Sequence, residues 1–359
     1  MFLKDPDYYL FVLKLAIVFL ASGIILAGIF QRMFNRTNGI SPSFIILLGV
    51  GFSPFWIALV LYYSFLLLPG QSDSIYLLLV YAGLVGMGVY AKKNIAILLY
   101  YVKTQIETIF KKHPILFVMG FLSVLFVLTG WSYYINSKQL TEHDVLEYAV
   151  QGKVFYETKL ISYSAHRIDA ASGFYYVGLH GFSFPLQATN ERLLNTMLQT
   201  NTDLLFRSLN SIYGLFILAS LFLFGLKRNG LWFSLFFALG LLMSYGFFET
   251  IMKYHIDNFR IFFFLAALFL AFNYLKSNDF KLLLFTAVFL GAQANAHSLG
   301  CLLAIVIVGI LFLFSTTPIL PRIRQFALFT VVFLLCGALH YLLDVSIGTG
   351  WIFQEVKFY

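Results

Sequence analysis

The side chains able to do acid–base or charge-binding chemistry crowd into a few stretches. Residues 140–150 hold Glu142, His143, Asp144, Glu147 and Tyr148. Thr141 or Glu142 opens a short helix there, with acids near its positive end. Asp144 and Tyr148, four apart, share one face, while Leu146, Ala149 and Val150 make an apolar one. The spacing suits an interfacial helix with solvated acids, or a carboxylate placed to accept a proton. Residues 249–260 pack Glu249, Lys253, His255, Asp257 and Arg260 into twelve positions. These groups either neutralise one another or form a phosphate site beside a carboxylate. Arg207, at the head of an apolar run, either snorkels to lipid phosphate or holds a substrate phosphate. Around His180, residues 173–185 set glycines and a proline among aromatics, as in a headgroup-level loop that is either an aromatic belt or a substrate lining. His143 with Asp144, His255 with Asp257, and His297 are possible metal ligands, but no His-x-x-x-His or Cys-x-x-Cys pair occurs. No cofactor is therefore expected, a divalent metal being the lesser alternative.

The elements that must position these groups lie in a membrane. Of 359 residues, 60% are hydrophobic and only 11% charged, with mean hydropathy +0.84. A soluble globule carries roughly a quarter charged residues and could not hide so much apolar surface. Apolar runs at 9–31, 44–68, 75–91, 114–134, 205–226, 231–249, 258–275, 281–296, 298–315 and 325–343 are long enough for helical spans. The expected fold is an all-α integral membrane protein of about ten transmembrane helices, with a long segment, 135–204, between the fourth and fifth. The eighth and ninth helices abut in a tight turn at residues 294–298. No internal repeat is visible, and Lys14 is the clearest charge inside a span.

Sidedness follows from basic residues in short loops. Arg32, Arg36, Lys92, Lys93, Lys103, Lys111, Lys112, Lys227, Arg228, Lys276, Lys281, Arg322 and Arg324 fall on odd connections, against Lys253 alone on the short even ones. Odd connections are thus expected inside, and both termini and segment 135–204 outside. Fourteen of the sixteen acids fall on that outer side. The net charge of +8 is the mark of basic inner loops rather than of nucleic-acid binding. Cys301 and Cys336 both sit in apolar runs, so no disulfide framework is expected, nor is a cleaved signal peptide.

In topology and motif order the chain resembles the GT-C class of membrane glycosyltransferases, such as the protein O-mannosyltransferases and lipid A aminoarabinose transferases. In that class a transmembrane helix leads into an outer loop opening on an acidic motif. Asp144 and Tyr148 match its Asp-x-x-x-Tyr frame, though Val145 replaces the usual second acid and Glu142 is a substitute. The run from His180 to Pro185 resembles a His/Pro loop without its Pro-Pro pair. The run from Arg207 to Gly214 resembles the opening of the next helix. Asp257, and residues 294–300 with His297 in place of a frequent lysine, have counterparts too. The resemblance covers 114–345 and implies a seven-helix catalytic module there, preceded by a three-helix addition, 1–113. Residues 346–359 form an outer tail, where a short family member or a truncated chain ends.

The resemblance implies an inverting transfer of sugar from a polyprenyl-phosphate donor to an acceptor lipid, glycan or protein at the outer face of a bacterial inner membrane. Asp144 or Glu142 is the expected base. Arg207, Lys253, His255 and Arg260 are expected on the donor phosphate, with Tyr148, His180, Asp257 and His297 lining the site. Membrane lipids are the other expected partners. The alternatives are an O-antigen ligase or polymerase, and a non-enzymatic transporter or assembly subunit.

Overall fold

The computed structural model describes residues 2–34, 40–112, 114–139, 143–161, 181–252 and 256–342; among these there are helices and no strands. Pro6–Met33 (α1) contains a π-helical turn, Ala16–Ala21. Pro42–Leu67 (α2) and Asp73–Lys112 (α3) follow. Pro114–Leu125 continues through a π turn, Phe126–Trp131, into Ser132–Asn136, together α4. His143–Thr158 (α5) and Ser183–Leu198 (α6) precede Leu204–Asn229 (α7), Leu231–Met243 (α8) and Tyr245–Met252 (α9). The last four are Asp257–Ser277 (α10), Phe280–Ala296 (α11), Leu299–Phe314 (α12) and Ile319–Leu342 (α13).

Seven of these helices are long and apolar enough to cross a membrane; α8 with α9, bent by 68°, makes an eighth if counted as one span, and α11 and α12 are shorter. Large apolar side chains face outward on several of them, Trp232 at 69% exposure and Leu313 at 73%. In water such a surface would drive association, so the solvent for these faces is lipid. This is an all-α integral membrane protein.

Local chemistry sets the helix ends. Asp5 caps α1, its side chain accepting from Asp7 N at 3.0 Å, with Pro6 at the first helical position. Gly230, at φ +83°, separates α7 from α8 in a conformation that a side chain would strain. Asp279 caps α11 by accepting from Lys281 N at 2.9 Å.

Three boundaries differ from the sequence reading. The basic connection after residue 91 is helical, α3 running on to Lys112. Ser183 to Pro185 belong to the first turn of α6 rather than to a loop, a place where proline's missing N–H costs nothing. The run 231–249 breaks at Ser244, whose ψ of 123° is extended.

The chain divides into two compact units. The first comprises 1–56, 77–142 and 191–258; the second 57–76, 143–190 and 259–359. Both therefore draw on each side of residue 113. In the first, Tyr8 donates to Thr129 Oγ1 (2.9 Å), Tyr133 to Asp5, and Tyr213 to Gly51 O (2.6 Å), tying α1 to α4 and α7 to α2. A Cβ on Gly49 would lie 2.5 Å from Ala27 N, so α1 and α2 touch backbone to backbone, the close approach small residues allow in membranes. The second unit is centred on Phe259, Phe263 and Phe289, all fully buried.

Candidate functional site

In the second unit, α5 supplies the Asp144–Tyr148 frame. Asp144 is the second residue of the helix, and its side chain lies outside the described residues, as do Glu142 and His180. Tyr148, one turn on, is 1% exposed, and its ring meets Phe184 edge-on at 5.4 Å. A turn later, Gly152 lets α5 lie directly on α6: a Cβ there would sit 2.5 Å from Pro185 O and 2.6 Å from Ala188 Cβ. Thr189 clamps the crossing by donating to Gly152 O at 2.9 Å. The far end of α5 is tied by Lys159, which pairs with Asp73 at 2.6 Å and lies 3.5 Å from the centre of the Tyr156 ring.

The start of α6 is fixed in turn on the end of α11. Ser183 N donates to Asn295 Oδ1 at 2.8 Å, and Asn295 is fully buried. A Cβ on Gly181 would fall 1.8 Å from Asn295 O, so only hydrogen fits there. Phe182 stacks on Tyr62 at 3.7 Å, with His340 edge-on to both rings. Tyr341 donates to Ala294 O at 2.9 Å. His297 is half-buried in the turn between α11 and α12, its Nδ1 accepting from Leu299 N at 3.1 Å. Three stretches far apart in sequence, the Asp144 frame, the residues after His180 and the turn at 294–300, are thereby joined in one unit. Ser183 Oγ, on the residue that donates to Asn295, and Gln293 Oε1, two residues before Asn295, are buried without a hydrogen-bond partner among the described residues. Sequence reasoning missed both, since an isolated Ser or Gln carries no pattern.

The first unit holds the Arg207 group. Arg207 stands in the first turn of α7 and pairs with Asp203 at 2.6 Å, while a second guanidinium nitrogen donates to Lys138 O. Its charge is therefore shared with one carboxylate. The end of the helix is capped from a distance. Glu191, 2% exposed, accepts from Leu205 N (3.0 Å) and Phe206 N (2.7 Å), and from Lys14 Nζ at 3.2 Å. Lys14, fully buried, also donates to Asn195 Oδ1 (2.5 Å) and Thr202 O (3.2 Å). Burial pushes the Glu191 carboxyl above the usual carboxylate range, against the Lys14 charge and the two amides that pull it down.

One turn past Arg207, Asn210 donates to Thr250 O (2.8 Å) and accepts from Asn258 N (3.0 Å), while Asn258 Nδ2 returns to Asn210 O at 3.1 Å. Ser211 donates to Ile251 O at 2.8 Å. Gly214 completes this face, a Cβ there lying 2.6 Å from Ile251 Cγ1. The run from Arg207 to Gly214 thus anchors the end of α9 and the head of α10, where Asp257 is the first residue. Lys253 and His255 lie outside the described residues. Arg260 is in the second unit, on the first turn of α10 and half-buried. No three His, Cys, Asp or Glu residues gather as a metal site among the described residues.

Compared with family models, with curated proteins and with solved structures, the chain matches none.

Proposed function

We propose that the chain is an inverting membrane glycosyltransferase of the GT-C kind, moving a sugar from a polyprenyl-phosphate donor to an acceptor hydroxyl or amine at the outer face of a bacterial inner membrane. The supporting observation is the joining, in one unit, of the Asp144 frame, the segment after His180 and the turn carrying His297, through Tyr148 on Phe184 and Ser183 on Asn295. Those stretches hold the carboxylate and lining residues that the resemblance assigns to the reaction.

A hydroxyl is a poor nucleophile at neutral pH. As its oxygen bonds to the anomeric carbon, the bond from that carbon to the lipid-phosphate oxygen breaks, and Asp144 takes the hydroxyl proton. Such help is worth roughly 10²–10⁴-fold. Glu142 is the second candidate for this role. Negative charge grows on the departing phosphate, and Arg207, Lys253, His255 and Arg260 are the cations assigned to it. About ten spans, with segment 135–204 outside, complete this reading.

The test is transfer of radiolabelled sugar from polyprenyl phosphate in membranes. Asp144→Asn abolishes transfer while the protein still inserts and folds, and Glu142→Gln shows whether the second acid contributes. Full activity in both variants overturns the proposal and leaves α5 as an interfacial helix.

A further inference from the structure

The hairpin of α12 and α13, within the second unit, encloses an apolar groove of about 610 Å³. Ala304, Gly309 and Leu313 line it from one helix, Phe326, Thr330 and Leu334 from the other. At 1.5 Å per residue the lining runs about 12 Å along each helix. One leaflet of a bilayer's hydrocarbon is about 15 Å deep. A Cβ on Gly309 would meet nothing within 4 Å, so the floor of the groove is open.

One end of this groove is cationic. Arg322 donates through Nε to Thr317 O (3.0 Å) and through its two terminal nitrogens to Phe312 O (3.0 Å) and Thr317 O (2.6 Å). Its guanidinium lies 5.5 Å from the centre of the Phe312 ring, which itself lines the groove. These acceptors are neutral carbonyls, so they orient the guanidinium without cancelling its charge. Arg324, two residues on, is exposed on the opposite face of the helix from Arg322 and the groove-lining Phe326 and Thr330. The opposite end, at Ala304 and Leu334, is apolar.

We propose that this groove holds one acyl chain of an anionic phospholipid, with its phosphate at Arg322. The groove is about as long as one leaflet is deep, and Arg322 stands where that lipid's headgroup would lie. An uncharged lipid would leave its charge unanswered at the membrane border. The cationic end is at the far end of the 16-residue α12 from His297, about 24 Å along the helix, and is independent of the sugar-transfer reading.

Delipidated protein in detergent micelles, titrated with phosphatidylglycerol or phosphatidylcholine and read by native mass spectrometry, tests this. One phosphatidylglycerol binds per chain, at least fivefold more tightly than phosphatidylcholine. Arg322→Gln narrows that preference, Arg324→Gln on the opposite face leaves it unchanged, and Gly309→Phe, which fills the groove, removes binding of both lipids. Equal affinity for the two lipids, phosphatidylglycerol binding that survives Gly309→Phe, or a lipid-free dimer seated on this face would overturn it. If Gly309→Phe does not fold, the wild-type lipid preference, its loss in Arg322→Gln and its survival in Arg324→Gln decide the matter.

Discussion

Replacing Lys14 by methionine isolates the role of the buried charge pair. The substitution keeps an unbranched side chain in the fully buried space and removes the ammonium. The two neutral acceptors retain a donor: Asn195 Oδ1 still accepts from Thr200 Oγ1 at 2.7 Å, and Thr202 O from Asn195 Nδ2 at 2.9 Å. The loss therefore concentrates on Glu191, which keeps two backbone amides but no counter-charge. Burial already lifts this carboxyl, and without Lys14 it rises further and takes up a proton. In a fold that admits only the neutral acid, each pH unit above the unfolded value of about 4.3 costs about 1.4 kcal/mol. A group whose folded value is raised contributes stability that is complete below its unfolded value and lost as pH rises through the folded one. The wild-type carboxyl is itself raised and already carries part of this cost, so the Lys14→Met deficit should grow from pH 5 to pH 7 by less than about 1.4 kcal/mol per unit. Denaturant unfolding in mixed micelles at pH 5, 6 and 7, followed by tryptophan fluorescence, measures it. Lys14→Met with Glu191→Gln should be pH-independent over this range and more stable than the single variant at pH 7. A deficit that is flat with pH, or a double variant no better than the single, refutes the assignment of the cost to Glu191.

Three further outcomes follow from the packing. Asn210→Ala removes the acceptor of Asn258 N and one of the two donors to Thr250 O, and should cost about 2–3 kcal/mol in the same unfolding assay. Gly152→Ala forces a methyl against Pro185 O and should cost about 1–3 kcal/mol through overpacking, whereas Gly309→Ala, which meets nothing, should be neutral or stabilising by up to about 1 kcal/mol.

The helical, membrane-spanning character was legible because long unbroken apolar runs, without the alternating segments of a barrel, leave the helix as the way to satisfy the backbone in lipid. The turn at residues 294–298 was equally legible, with α11 ending at Ala296 and α12 starting at Leu299. What escaped the sequence was pairing at a distance. Lys14 and Glu191 are 177 positions apart, and no local pattern marks Glu191 as a cap for the amides of Leu205 and Phe206. The extension of α3 past Lys92 escaped for a different reason. Hydropathy registers the lysines as the end of an apolar run, yet lysine is a good helix former and the backbone ladder is indifferent to which side chains become polar. For the candidate site, residue types and motif order were visible beforehand; the contacts joining those stretches, Tyr148 on Phe184 and Ser183 on Asn295, rest on a buried ring and on a side-chain acceptor that no spacing rule reveals.

The length of α3 has a geometric consequence. Forty helical residues extend about 60 Å, twice the depth of the hydrocarbon. The next helix begins at Pro114 and its span at Phe117, so the chain from Lys112 to Phe117 covers at most about 12 Å. With Asp73 at one membrane border and Phe117 at the other, a straight α3 can rise no more than about 42 Å, so it leans at least about 45° from the bilayer normal. Its C-terminal part then leaves the hydrocarbon obliquely. Lys103, which shares its charge with Glu107, and Lys111 and Lys112 lie along that slope at or beyond the border, an unpaired cation there being worth about 1 kcal/mol of attraction to an anionic surface. The helix would be held at its angle by the membrane as well as by its protein neighbours.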